Sequence, residues 1–279
     1  MIVLSWNCWG LGNPSVVPNL KYLIRRYKPD VLFMFETISY SNKVEVLRYS
    51  LGFDCCFSVN RIGRSGGMAV FWKEHKKCSV QNYSNNHIDM LVEDSIHGNW
   101  RLTSFYGFPE NSRRRDSWNL IRNLSDSSNL PWCIIGDFND ILSCNEKKGS
   151  IERPNWLISG FRQAVQDAGL IDIPLEGYPF TWFKSLGTAR AVEERLDRAM
   201  TNTNWSTLFP NANLECLTAA YSDHYPILLS CFNDTVHQNV RKSFKFENAW
   251  LTEPGFKDFL REKWLNCEHD EITKKIEVC

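Results

Sequence analysis

The sequence predicts an α/β fold in which two packed mixed β-sheets are flanked by helices. Three observations carry that reading. Many short strand-like segments are interleaved with a few helical stripes. Some of these segments alternate in polarity and others are continuously apolar, so some strands have one wet face and others have none. The length of 279 residues and the 43% hydrophobic content supply the core of one large α/β unit. Few helices among many strands suit two sheets packed together better than a single parallel sheet.

In chain order, "IVLSW" (2–6) reads as a strand, and Leu20, Leu23, Ile24 and Tyr27 mark one face of a helix that ends near Pro29. "DVLFMFE" (30–36) is a buried strand and "KVEVLRYSL" (43–51) a helix. "CCFSV" and "MAVFW" are strands on either side of "GRSGG" (63–67). That stretch lacks the Lys-Ser/Thr ending of a phosphate-cradling loop, so it reads as a hairpin turn. "HIDMLVE" (87–93) and "WRLTSFY" (100–106) continue the strands, and Trp118, Ile121 and Leu124 mark a helix. Residues 131–136 are a strand; Leu157, Phe161, Ala164, Val165 and Ala168 give a helical face; "VEERLDRAM" (192–200) and "PILLSCF" (226–232) read as late strands. From Asn233 the chain turns polar, with "FKDFLREKWL" as an amphipathic helix. The division is therefore 1–232 as one domain and 233–279 as a linker.

Lys plus Arg equals Asp plus Glu at 32 each, so phosphate contacts must come from locally placed groups and not from a global positive field. The ten cysteines contain no C-x-x-C pair and the six histidines do not cluster with them, which points to reduced thiols and no zinc site. The sequence shows neither a secretory signal nor a span able to cross a bilayer, so the expected location is intracellular. Most of the eleven tryptophans belong to the core, with one or two left for surface stacking.

The polar residues at strand ends form the informative pattern. Successive strands end on or near Asn7, Glu36, Tyr106, Asp137 with Asn139, and Asp197, and Ser222, Asp223 and His224 precede the last one. Any one of these has a bland explanation, because strands end where water begins. Together they describe a rim where carboxylates gather beside amides, a phenol and an imidazole. Clustered carboxylates repel each other and call for a cation. Oxygen ligands suit Mg²⁺, and Mg²⁺ beside neutral and cationic donors suits a phosphate ester. Asp137 and Asn139 lie one residue apart, which strand alternation would place on one side; a strand-end Asx turn is the alternative. "SRRR" (112–115) reads as phosphate contacts through Arg113, Arg114 and Arg115 or as a solvated helix start. "YPFTW" (178–182), which contains Thr181, reads as a substrate-facing loop or as core packing.

"SWNCWGLGN", "FMFET", "SFYGFPE", "IIGDFND", "RLDRAM" and "SDHYPI" occur in the order found in the endonuclease/exonuclease/phosphatase family, which the chain resembles over residues 1–232. "YGFPENSRRRDSW", "GDFNDILSCNEKKG", "GYPFTW" and "RLDRAMTNTNW" resemble the endonuclease domain of plant non-LTR, LINE-like retrotransposons. "FKFENAWLTEPGFKDFL" resembles the segment that leads to a reverse transcriptase in such elements. The resemblance implies a four-layer α/β sandwich that acts as a monomer in the nucleus. Its activity would be Mg²⁺-dependent (or Mn²⁺-dependent) nicking of DNA to leave a 3′-OH that primes reverse transcription. It also implies roles. Glu36 is the principal metal ligand, with Asn7 and Asp223 beside it. Asp137 aligns or deprotonates the attacking water and Asn139 holds Asp137 and the phosphate. Tyr106 donates to the phosphate, and Asp197 supports His224 at the scissile phosphate. Trp9, Ile38 and Ser150 depart from the family pattern, where relatives carry an acidic residue, a lysine and a glycine. The same pocket would serve an inositol-phosphate or lipid phosphomonoesterase or an RNA exonuclease, and a decayed retroelement copy would retain the motifs without activity.

Overall fold

In the computed structural model, residues 1–63, 66–73, 78–219 and 222–232 are described, together with Asp258 and Arg261. The elements are β1 (Ile2–Asn7), α1 (Val16–Tyr27), β2 (Val31–Phe35), α2 (Ser41–Leu51), β3 (Cys55–Val59), β4 (Met68–Trp72), β5 (Cys78–Tyr83), β6 (His87–Asp94), β7 (Gly98–Tyr106) and α3 (Arg114–Asp126). They continue with β8 (Trp132–Asp137), β9 (Lys147–Lys148), α4 (Asn155–Asp167), β10 (Leu170–Asp172), β11 (Leu175–Glu176), β12 (Trp182–Lys184), β13 (Val192–Glu194), β14 (Asp197–Asn202), α5 (Thr203–Leu208), β15 (Asn213–Cys216) and β16 (Ile227–Ser230). Residues 1–233 make one compact unit.

Period-two burial explains the layers. Along β2, Val31, Phe33 and Phe35 face one core while Leu32 and Met34 face another. The strand is apolar throughout because both of its faces are covered. Two sheets result, ordered β11-β15-β16-β1-β2-β4-β3 and β10-β14-β8-β7-β6-β5, with a small β12-β13-β9 sheet beside them. Both large sheets are mixed: β1 runs parallel to β2 and antiparallel to β16, and β8 runs parallel to β7 and antiparallel to β14. The central core joins Val3, Phe33, Phe35 and Val70 of one sheet to Met90, Leu102, Ile135 and Ala199 of the other. Leu20, Leu23 and Val44 of α1 and α2 cover the first sheet. Trp118, Ile121, Leu157 and Phe161 of α3 and α4 cover the second. Helices, sheet, sheet and helices are the four layers expected.

Several elements differ from the sequence reading. "VEERLDRAM" is not one strand: β13 and β14 lie in different sheets, broken at Arg195 and Leu196. The break is set by Thr181, whose Oγ1 accepts the backbone N–H groups of Leu196 (3.0 Å) and Asp197 (2.8 Å). Strands β10, β11, β12 and β15 are two to four residues long, too short to show a period. Strand β5 is a largely exposed edge without an apolar face. Strands β3 and β4 pair as an antiparallel hairpin across the "GRSGG" turn, of which Arg64 and Ser65 lie outside the described residues. The expected polar linker and amphipathic helix of 233–279 also lie outside the described residues, apart from the helical positions Asp258 and Arg261. Among the described residues no helix is long and apolar enough to cross a membrane, and Cys8, Cys55, Cys56, Cys133, Cys144, Cys216 and Cys231 are free thiols.

Two details position the site. Gly136 sits at φ +149°, where a methyl group would collide with the carbonyl oxygen of Phe105 and lie 2.7 Å from the Phe35 ring. The Phe35 ring of the first sheet therefore rests directly on the β8 backbone of the second, just before Asp137. The turn before β6 braces Tyr106: Asn86 accepts the Tyr106 N–H at 2.8 Å and donates from Nδ2 to its carbonyl at 2.7 Å. His87 closes that turn, with Nδ1 2.8 Å from Ser84 Oγ. Burial lowers the His87 pKa, opposed by Asp89 and aided by Arg101.

Gly136→Ala is expected to destabilise the fold by about 1–3 kcal/mol through overpacking, read as a lower urea midpoint. His87 is held neutral in the folded chain, so its share of stability is present above its unfolded pKa of about 6.5 and is lost as pH falls below it. Urea midpoints compared at acid and neutral pH should therefore converge less for the native chain than for His87→Gln.

Candidate active site

The topology delivers the strand ends to one rim. Asn7 closes β1 opposite Phe35 of the parallel neighbour β2, so Glu36 emerges beside it. In the other sheet Tyr106, Asp137 and Asp197 stand in a row across β7, β8 and β14. Ser222–His224 enter just before β16, the antiparallel neighbour of β1.

Side-chain hydrogen bonds join the two sheets at this rim. Asn7 Nδ2 donates to Glu36 Oε1 and to Asp137 Oδ2, both at 3.1 Å. Tyr106 donates its hydroxyl proton to Glu36 Oε1 at 2.7 Å. His224 Nδ1 lies 2.8 Å from Asp197 Oδ2, and its Nε2 lies 3.7 Å from Asp137 Oδ2. Ser222 holds the loop, donating to the Asn7 carbonyl at 2.7 Å while its Oγ accepts the His224 N–H at 3.1 Å. Trp6 Nε1 donates to the His224 carbonyl at 3.0 Å.

Asn139 differs from the strand-alternation expectation. It lies at φ +57°, outside the strand, and its N–H donates to Asp137 Oδ1 at 2.9 Å. That is an Asx turn closed by Asp137. Asn139 Nδ2 donates to the Gly107 carbonyl at 3.0 Å, while Phe138 packs between Phe105 and Phe161. The turn places both polar side chains at the rim where a continued strand would have carried Asn139 past it.

Burial and charge set the protonation states. Burial raises the pKa of Asp137, and His224, the Asn7 amide and the Asn139 N–H pull it back. Burial alone would depress His224, but Asp197, Asp137 and Asp223 outweigh it and raise its pKa, so the ring is cationic. Burial, Glu36 and Asp137 push Tyr106 far above its ordinary value, which keeps it a neutral hydroxyl donor. Asp137, Asp197 and His224 bring ligand atoms within 4.8 Å of one another. His224 Nδ1 faces Asp197 and its Nε2 faces Asp137, so each ring nitrogen already has a carboxylate beside it. We therefore read the trio as a hydrogen-bonded relay.

A cavity of about 330 Å³ opens at the rim, lined by Trp9, Glu36, Asn139, Trp182, Asp223 and His224 among others. Among the described residues neither Glu36 nor Asp223 forms an ion pair. Two unpaired carboxylates on one cavity are a donor set that fits a hard divalent cation. Asn7 is directed otherwise than a ligand: its amide nitrogen bridges two carboxylates and its Oδ1 accepts the Trp9 N–H at 3.3 Å.

The expected substrate contacts are placed differently. Arg114 is buried; it donates to the carbonyls of Asn139 and Pro109 and lies 3.6 Å from Asp140. Its guanidinium holds the Asn139 turn from beneath. Arg113 covers the Phe108 ring at 3.6 Å and pairs with Asp116, and Arg115 is exposed. The three arginines thus diverge, because successive helical residues point about 100° apart. Thr181 is fully buried with its hydroxyl engaged by backbone, so it positions Asp197. Sequence reading missed Arg153, which donates to the Asn139 carbonyl at 2.8 Å and also reaches Asp140 and Glu194. Trp182 closes the "YPFTW" stretch already singled out, but its contact with Asp223, Nε1 donating to Oδ2 at 2.9 Å, was not foreseen. An arginine in a loop and a tryptophan after a threonine carry no local signal of these contacts.

A profile of the Endonuclease/Exonuclease/phosphatase family matches residues 4–224. The chain belongs to this family. Among solved structures, the 3′ phosphatase NExo from Neisseria bound to a product DNA hairpin superposes with a TM-score of 0.63 at 16% identity, over 82% of this chain and 98% of that one. The endonuclease domain of TRAS1, a telomere-specific non-LTR retrotransposon, gives 0.61 at 16% identity, over 82% and 97%. The AP endonuclease LMAP from Leishmania major gives 0.59 at 15%, over 82% and 86%. No curated protein matches the chain. At these identities the likeness is one of fold, the two-sheet deoxyribonuclease I-like architecture.

Thr181→Val is expected to strand two buried backbone donors and lower stability by about 2 kcal/mol or more, measured as the urea midpoint. Thr181→Ser, which keeps the hydroxyl, should recover most of the loss.

Proposed function

We propose that this member of the family is a divalent-metal phosphodiesterase that nicks DNA and leaves a 3′-OH, as the endonuclease of a retroelement. One observation carries the reading: Glu36 and Asp223, two carboxylates without an ion-pair partner among the described residues, share a cavity with His224, whose ring is braced from behind by Asp197.

Glu36 and Asp223 would hold Mg²⁺ or Mn²⁺, which when bound neutralises charge on the phosphoryl oxygens, and Asn7 orients Glu36 through its amide N–H. Asp137 orients the attacking water and takes its proton, and its raised pKa makes it a stronger base than an ordinary surface carboxylate. The Asn139 N–H and the Asn7 amide fix the Asp137 carboxylate in orientation. On substrate binding, the His224 Nε2–H and the Tyr106 hydroxyl would turn from Asp137 and Glu36 to the oxygens of the pentacovalent phosphoryl group, donors that are strongest in a dry site. Asp197 keeps the His224 ring oriented and charged. As the water oxygen bonds to phosphorus the P–O3′ bond breaks, and the departing O3′ takes a proton from His224, which leaves a 5′-phosphate and the free 3′-OH. The retroelement assignment is supported by the ordered motif blocks and by the fold shared with the TRAS1 domain. DNA as the partner, a nuclear site of action and a reverse transcriptase joined after the linker follow from it.

A supercoiled-plasmid nicking assay tests the reading. Relaxation is expected in Mg²⁺, abolished by EDTA, and reduced about 10²- to 10⁴-fold by Asp137→Ala. A plasmid left supercoiled by the native chain, or nicked equally by the variant, overturns it. Phosphate release from phosphoinositides, in place of nicking, would assign the site to the lipid phosphatases.

A further inference from the structure

Trp9 takes no part in the chemistry above, yet the fold presents it with care. Its side chain is 62% exposed, and its backbone lies at φ +48°. Exposed apolar residues are ordinary singly. A bulky residue in the left-handed region is not, and such strain persists only where the surroundings impose it. Here they do. The Cys8 N–H donates to the Phe35 carbonyl at 3.1 Å, the Gly10 N–H to the Glu36 carbonyl at 2.8 Å and the Leu11 N–H to the Thr37 carbonyl at 3.0 Å. The Trp9 N–H itself donates to Asn7 Oδ1. The backbone on both sides of Trp9 is thus pinned to the loop that carries Glu36.

The indole held this way lines the same cavity as Glu36, Asp223 and His224. Trp182 lines it too, fixed through its indole N–H to Asp223. A cavity of about 330 Å³ is at the small end for a ligand site, on the scale of a single nucleoside. An exposed π-face beside a phosphate-handling centre is suited to a flat, uncharged ring, and every base offers one.

Resting on the phosphodiesterase reading, we propose that Trp9 is a stacking platform for the nucleobase next to the scissile phosphate. The site then selects nucleotides whose base face is uncovered, in single strands, frayed ends or unpaired positions, over nucleotides stacked in a regular duplex. Trp9 determines specificity, and proton transfer stays with Asp137 and His224.

The test uses the full chain carrying Asp137→Asn to silence cleavage, in Mg²⁺, with short single-stranded and duplex DNA containing 2-aminopurine at successive positions. Quenching is expected at one position of the bound single strand. Adding Trp9→Gly should abolish that quench and raise the single-strand Kd about 5- to 150-fold, the equivalent of one lost base–aromatic stack, while Trp9→Phe retains the quench. Duplex binding should change several-fold less. Because glycine adopts φ +48° freely, Trp9→Gly should also raise the urea midpoint, whereas a structural role for the indole predicts a fall. A Trp9→Gly chain that binds single strands as tightly as its parent, keeps the quench, or is less stable overturns the proposal. If the native chain nicks plasmid while Trp9→Gly leaves binding unchanged, only the stacking inference falls; if the native chain neither nicks nor binds DNA, the phosphodiesterase reading falls with it.

Discussion

A carboxylate with no exposed surface, Asp137, is the constraint around which the rest of the site is arranged. An isolated buried anion costs several kcal/mol, and removing one partner of a buried charge pair costs about 3–5 kcal/mol. Asp137 is stable only because the Asn7 amide, the Asn139 N–H and the His224 ring surround it. Each partner comes from a different part of the chain. The hydrogen bonds that neutralise this charge are also the ones that tie the two sheets together at the rim. Folding and the assembly of the site are therefore one event.

The supporting structure is stiff. Besides Trp9, the non-glycine residues Glu36, Ile38 and Asn139 lie at positive φ around the cavity. Bulky residues avoid that region unless neighbours hold them there. The holders can be named. Arg114 from the first turn of α3 and Arg153 from the loop before α4 converge on the Asn139 carbonyl, and the Gly66 and Gly67 carbonyls accept the N–H groups of Ile38 and Thr37. Backbone strain of this kind trades stability for fixed geometry, which is what in-line chemistry at phosphorus requires.

Relatives at 15–16% identity share the two-sheet frame, and a frame of this sort hosts several phosphoester chemistries. At the mouth of the cavity Trp9 makes one wall aromatic, and Glu36 and Asp223 face the cavity while Asp137 and Asp197 are engaged by His224.

The sequence by itself determined the layer order and the identity of the rim. Continuous apolar runs such as "VLFMF" can only be strands covered on both faces, and a polar residue that ends such a run must lie at a sheet edge. Asn7, Glu36, Tyr106, Asp137, Asp197 and His224 were legible for that reason. Tertiary structure alone decided which atoms meet. The Asx turn at Asn139 follows from Arg114 and Arg153 reaching back from outside the motif. Thr181 and Arg114 turned inward because two buried N–H groups and a buried carbonyl needed partners. Alternation and helical spacing are properties of neighbours along the chain; the satisfaction of a buried donor or charge depends on groups more than a hundred residues away, as between Asn7 and Asp137, and no local pattern records it.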